Sequence, residues 1–248
     1  MNSVNTNVGA MVALQNLNKT SSDLSTVQSR INTGLKVASA KDNGAIWAIA
    51  QNQRSESGAL NAVKESLSRS VSTVDVALSA GESISDTLLQ MKEKALAAAD
   101  TTLDTASRVA LNDEFKAMRD QIAKVVDNAE FNGANMIKNT TPTTVAALAS
   151  ADGANKITVA AQNLSLAGGN VTVTATATIG TQTAAAAMIA TINTSIANVS
   201  SALSKLGTGS RALTSHADFV GKLQDTIDAG VGNLVDADLA KESARLQS

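Results

Sequence analysis

Residues 60–98 read LNAVKESLSRSVSTVDVALSAGESISDTLLQMKEKALAA, and this stretch decides the fold. Leu60, Val63, Leu67, Val71, Val74, Leu78, Ile84, Leu88, Met91 and Ala95 recur at three- and four-residue steps. That spacing lays apolar side chains along one face of a helix. Gly81 is the weak point of the rhythm, and the single proline of the chain lies far away at 142. Nothing therefore stops a helix from about 45 to about 100, which at 1.5 Å per residue spans roughly 80 Å. A helix of that length cannot wrap around a compact core. It needs other helices along its flank.

Working outward toward the N-terminus, Asp42 or Asn43 is placed to cap this long helix, after a short connector, TGLKVASAKDNGA. Before the connector, Val4, Val8, Met11, Leu14, Leu17, Leu24, Val27 and Ile31 form another stripe, broken only by Ser21. Its opposite face carries Asn, Gln, Ser and Thr rather than the charges of an ordinary surface helix, so it is a candidate for burial against other chains. Asn32, Thr33 and Gly34 end it, the glycine being suited to a left-handed helix terminus.

Toward the C-terminus, DTTLDTAS turns the chain, and Leu111, Phe115, Met118, Ile122, Val125 and Ala129 form an antiparallel return. Residues 157–180, ITVAAQNLSLAGGNVTVTATATIG, alternate apolar residues with Thr and Ser around a Gly-Gly-Asn turn between Leu166 and Val171. They predict a small β-hairpin, poor in bulk and so outlying. Helix resumes near Ala184 with the seams Ile189, Ile192, Ile196, Val199, Leu203, Leu206 and Val220, Leu223, Ile227, Val231, Leu234. Gly207 and Gly209 mark either a break or a continuous joint between them.

The predicted fold class is mainly α: a long antiparallel helical hairpin or coiled-coil bundle formed by both chain ends, with a small β-rich insertion. The expected segments are 1–44, 45–138, 139–183, 184–235 and 236–248. Composition agrees. Of 248 residues 44% are hydrophobic but only 2% aromatic, with three Phe, one Trp and no Tyr. Alanine-rich helical seams suit that balance better than a round core, which usually buries large rings.

The formal net charge of −2, from 20 basic and 22 acidic residues, offers no basic tract for nucleic acid. The absence of cysteine excludes disulfides, thiol catalysis and cysteine metal sites. The N-terminus lacks the basic and apolar regions of a cleavable signal peptide. No stretch reads as the roughly 18 apolar residues of a membrane span, so no membrane insertion is expected.

Chemical motifs are equally sparse. His216, the only histidine, has no metal or catalytic partner in a recognised motif. Asp236 and Asp238 lack the remaining ligands of a calcium loop and instead favour a helix start. Gly168-Gly169 is a turn without the Lys of a phosphate cradle. Trp47 reads as a packing residue. The expectation is a protein with no cofactor, no metal and no catalytic residue.

Several motifs in order give a resemblance. SVNTNV (3–8), ALQNL (13–17), RINTG (30–34), ASAKD (38–42), FNG (131–133) and VDADLAKE (235–242) resemble the terminal regions of bacterial flagellins. With DNGAIW (42–47) and GKLQ (221–224), the similarity is closest to short α-proteobacterial members. It covers about residues 1–138 and 184–248. The resemblance implies a structural subunit of the swimming filament, exported by the flagellar type III apparatus without signal cleavage. It implies a flagellin chaperone, filament cap and hook-junction proteins as partners besides other subunits, and an extracellular filament as location.

The same resemblance assigns candidate residues. Val4, Val8, Met11, Leu14, Leu17, Leu24, Val27 and Ile31 become subunit-polymerisation positions, together with Leu239 and Leu246. Exposed Ser and Thr of similar flagellins carry O-linked sugars, which makes Thr172, Thr174, Thr176 and Thr178 candidate glycosylation sites. An animal immune receptor reads an Arg and a Leu on the long helix of many flagellins, where this chain places Gln90 and Lys94; Glu114 matches a third, acidic contact. Weak recognition is expected. Family members continue for several turns beyond the ADLAKESARLQ-like stretch. Here the seam through Leu239 and Leu246 stops at Ser248, so much of the C-terminal partner of residues 4–31 is expected to be missing.

Three rival readings fit the sequence less well. A hook–filament junction protein shares the terminal helices, but KDNGA and ADLAKE favour flagellin. A receptor's cytoplasmic hairpin would want a membrane span and charged seam flanks. An inserted enzyme domain would need more than the roughly 45 residues of the middle.

Overall fold

The computed structural model describes residues 7–139 and 142–247. Five helices and one two-stranded sheet follow in order: α1 (Val8–Thr33), α2 (Gly44–Ala98), α3 (Thr105–Asn128), β1 (Val145–Leu148), β2 (Lys156–Val159), α4 (Gln182–Val235) and α5 (Leu239–Gln247). The chain forms two compact units. One comprises Leu60–Gly221; the other comprises the described residues up to Ala59 with those from Lys222 onward.

The Leu60–Gly221 unit owes its core to a seven-residue repeat. On α2, Leu60, Leu67, Val74, Leu88 and Ala95 are buried at steps of seven or fourteen, and Val63, Ser70, Ala77, Ile84, Met91 and Ala98 follow three residues behind. On α4, Ala185, Ile192, Val199, Leu206, Leu213 and Val220 repeat every seven. A strict seven-residue repeat is the pattern of coiled-coil packing. Val71 and Leu78, assigned to the α2 seam from sequence, are only half-buried because the repeat passes beside them. Ser70, Thr73 and Thr87 are buried without cost in lost hydrogen bonds. Each hydroxyl donates to the carbonyl four residues earlier, Ser66, Arg69 and Ser83.

Asp104 caps α3, its carboxylate accepting from Ser107 N at 2.9 Å. Arg108 closes the preceding turn by donating to the carbonyls of Ala98 and Asp100. Phe115, Ile122 and Val126 then bury the inner face of α3. α4 runs unbroken through Gly207 and Gly209.

The middle of the chain differs from expectation in two ways. Its hairpin is β1–β2, antiparallel with Val145 opposite Val159 and Leu148 opposite Lys156, and not a hairpin around Gly168-Gly169. Leu166 and Val171 share only an isolated bridge, and Thr172, Thr174, Thr176 and Thr178 lie on irregular backbone. Nor is the middle outlying. Leu164, Val171, Val173 and Ile179 are fully buried.

The physical reason lies in the helices, which leave holes for it. A Cβ at Gly81 would sit 2.5 Å from Leu203 Cδ2 and 3.2 Å from Leu164 Cδ1. One at Gly209 would sit 2.6 Å from Val159 Cγ1. Glycine there is a packing requirement.

By length and apolar composition α4 reaches the threshold of a membrane-crossing helix, with a mean hydropathy of 1.2 over its best window. This corrects the expectation that no stretch approaches one. Ile192, Val199 and Leu206 of that helix are buried in this unit.

In the other unit, Val37, Ala50, Val231 and Val235 form a small core flanked by Leu35, Ile46, Trp47, Ile227 and Leu234. Trp47 is thus a packing residue. Asn43, not Asp42, caps α2, accepting from Ile46 N at 3.1 Å.

Candidate functional site

The polymerisation stripe of α1 lies open to solvent. Asn7 caps the helix by accepting from Ala10 N, and Gly34 ends it at φ 70°. Between these ends Val8, Met11, Leu14, Leu17 and Leu24 are all exposed, Met11, Leu14 and Leu17 at 61–65%. Val27 is buried and Ile31 half-buried, so only the end nearest the connector is packed. Val4 falls outside the described residues. Leu239 and Leu246 on α5 are likewise exposed, at 50% and 41%.

α5 packs against α1, and the contact is polar at its centre. Arg30 Nη1 donates to Glu242 Oε1 at 3.1 Å, and Glu242 is only 6% exposed. Arg245 Nη1 stands 3.7 Å from the other carboxylate oxygen. Asp238 caps α5 by accepting from Lys241 N.

Backbone bonds brace the same place. Lys36 N and Val37 N donate to Val235 O, and Ala237 N donates to Gly34 O. Asp42 binds the connector itself, accepting from Ala38 N, Ser39 N and the Ser39 hydroxyl. Those bonds, Ser39 N–H first, hold its carboxyl below the ordinary aspartate range. The Arg30–Glu242 pair was not anticipated from sequence. Its only trace was a lone Arg and a lone Glu on helices expected to pair.

The candidate glycosylation residues divide. Thr172 is half-buried: its hydroxyl donates to Thr191 O, and its N–H donates to Ser195 Oγ at 2.9 Å. Thr174, Ala175, Thr176 and Thr178 are exposed, while Val173, Ala177 and the following Ile179 are buried. The helices hold this segment without a strand ladder. Asn112 Oδ1 accepts from Ile179 N at 2.8 Å, and Arg119 Nη1 donates to Ala177 O at 3.0 Å.

Sequence reading missed Asn112, Arg119 and Ser195, although Asn112 stands three residues before Phe115 on the buried face. His216 has a related duty. Its Nε2 lies 2.7 Å from Ala149 O, just past β1.

The three candidate receptor positions are near the α2–α3 turn. Gln90 and Glu114 are exposed, and Lys94 is half-buried. Lys94 Nζ lies 2.6 Å from Glu114 Oε2. Among the described residues no three His, Cys, Asp or Glu side chains are grouped to hold a metal.

Comparison with known proteins places the chain in a family. The bacterial flagellin N-terminal helical region matches residues 4–141, and the bacterial flagellin C-terminal helical region matches residues 189–248. Flagellin FljK of Caulobacter vibrioides is 58% identical over 248 residues, covering 100% of this chain and 89% of the relative. A flagellin of Brucella melitensis is 32% identical over 256 residues, with 100% and 90% covered. Among solved structures, a putative flagellar hook-associated protein from Vibrio parahaemolyticus superposes with a TM-score of 0.66. The match spans 79% of this chain and 100% of that one at 14% identity, which speaks to the fold alone.

Proposed function

The chain belongs to the bacterial flagellin family and is a structural subunit of the flagellar filament, and from that premise we propose that the α1 stripe is its polymerisation face. Val8, Met11, Leu14, Leu17 and Leu24, with Val4 before them, bury against other subunits, and Val27 and Ile31 carry the stripe into the end already packed within the chain. Leu239 and Leu246 of α5 join that face. The observation that carries this reading is the solvent exposure of these five large apolar side chains, with Val12 beside them, on a helix whose only charged residues are Lys19, Asp23 and Arg30. Covering each Leu or Met yields about 1.5–3 kcal/mol, repeated at every subunit. The work of the protein is this burial, with no substrate turned over and no cofactor held.

The test is sedimentation with negative-stain microscopy of Leu14→Asp and Leu17→Asp beside the parent chain. Both variants should fail to join filaments while the Leu60–Gly221 unit keeps its helical circular dichroism and its melting. Normal incorporation of either would overturn the reading.

Membership also supports export through the flagellar type III apparatus without signal cleavage, with a flagellin chaperone, and placement among filament-cap and hook-junction proteins. The finer assignments follow the geometry. Thr174, Thr176 and Thr178 are the acceptors for O-linked sugar, and Thr172 is a poor one because its hydroxyl is spent on α4. Intact mass of the protein from its native host checks this; the bare chain mass would sink it. Gln90, Lys94 and Glu114 make a weak receptor epitope.

A further inference from the structure

The stripe contains one chemically reactive side chain. Met11 is 63% exposed, whereas Met91 and Met136 are 0% and 1% exposed, and Met118 and Met188 are half-buried. Thioether oxidation follows exposure, and the product is a polar, chiral sulfoxide in place of a flexible apolar chain. Val8 and Leu14 flank Met11 one helical turn away on either side, both exposed. No carboxylate or ammonium side chain lies within one turn of it on α1, so the described stripe is uncharged there.

We propose that Met11 is a peroxide-sensitive modification site whose oxidation disables the unassembled subunit. The inference rests on the assembly reading above. In the step, the Met11 sulfur lone pair attacks one peroxide oxygen. The S–O bond forms as the O–O bond breaks, and the departing hydroxide takes up the proton lost by the transferred oxygen. One water leaves for each sulfoxide made; sulfur loses two electrons and the peroxide gains them.

The sulfoxide is far more polar than the thioether, so burying it between subunits among Val8, Val12 and Leu14 carries a desolvation cost that the nearby Gln15 amide only partly offsets. Once the stripe is covered, the same sulfur is shielded. The site is therefore open only between synthesis and assembly, and a damaged copy is excluded at the growing end instead of weakening a finished filament.

The experiment treats the full chain with dilute hydrogen peroxide, maps each methionine by peptide mass, and follows seeded growth on sheared filaments by sedimentation. Met11 should oxidise at least about tenfold faster than Met91 and Met136. Oxidised protein should lose most of its sedimentable fraction. Met11→Leu should keep, after peroxide, the same sedimentable fraction it shows untreated, while Met11→Gln should fail without any oxidant.

Equal oxidation rates at Met11 and Met91 would overturn the proposal. So would oxidised protein that grows as well as untreated, or Met11→Leu losing competence as fully as the parent. Untreated chain that never sediments on seeds, with Leu14→Asp no different from it, would overturn the assembly reading and this inference with it.

Discussion

Lys94 Nζ on α2 lies 2.6 Å from Glu114 Oε2 on α3, so two of the three candidate receptor positions neutralise one another within the chain. With Lys94 32% exposed and Glu114 53%, the pair is worth little to stability. For the proposed receptor epitope the pair means a carboxylate already engaged, with Gln90 standing where the resemblance expects a bidentate donor.

In a receptor-reporter assay this protein should be at least about tenfold weaker than an enterobacterial flagellin, the loss of one or two central contacts. Gln90→Arg with Lys94→Leu should recover part of the response. Equal activation by the parent protein would refute the assignment.

Arg30 and Glu242 should behave as a coupled pair. Glu242→Ala leaves a partly buried guanidinium without its partner and should cost about 1–3 kcal/mol of local stability. Hydrogen exchange of α5 amides reads this directly: protection falls in Glu242→Ala and in Arg30→Ala, and the double variant is no worse than either. Additive losses would show that the two act separately.

Two glycines two residues apart on α4 should respond in opposite directions. A Cβ at Gly207 meets nothing within 4 Å, so Gly207→Ala should gain about 0.5–1 kcal/mol of helix propensity. At Gly209 it would lie 2.6 and 2.8 Å from the Val159 Cγ atoms and 3.3 Å from its Cβ. A β-branched chain on a paired strand cannot swing aside, so Gly209→Ala should lose about 1–3 kcal/mol. Thermal unfolding of the two variants decides it.

Acid should release the turns first. Asp104 is held below its ordinary value by the Ser107 hydroxyl and N–H, Asp100 by Thr102 N–H and hydroxyl, and Asp152 by the Ser150 hydroxyl and Ala154 N–H. A folded value below the unfolded one means stability that is present above the usual carboxylate range and lost as pH falls through the folded value. Asp104→Ala should therefore melt lower than the parent at pH 7, with the difference closing below about pH 4. A gap unchanged at pH 2 would contradict the cap assignment.

Much of the fold was legible because helical periodicity is local. The stripe of Leu60 to Ala95 needed only its own spacing to declare a long helix, and Val8 to Ile31 declared a face that this chain leaves open. The terminal motifs carried the family. What the sequence could not decide was which side chains meet across the gaps.

Alternation in 157–180 looked like a strand because apolar and hydroxyl residues do alternate there. That alternation is enforced instead by Asn112, Arg119 and Ser195, which satisfy its backbone from the helices beside it. Gly81 read as the weak point of a helix and Gly209 as a break or a continuous joint, yet they are the sockets that receive Leu203, Leu164 and Val159. The Arg30–Glu242 pair, too, joins residues 212 apart in the chain. Period and composition are written in the order of residues; partners depend on which surfaces the folded chain brings together, and only the tertiary structure sets those distances.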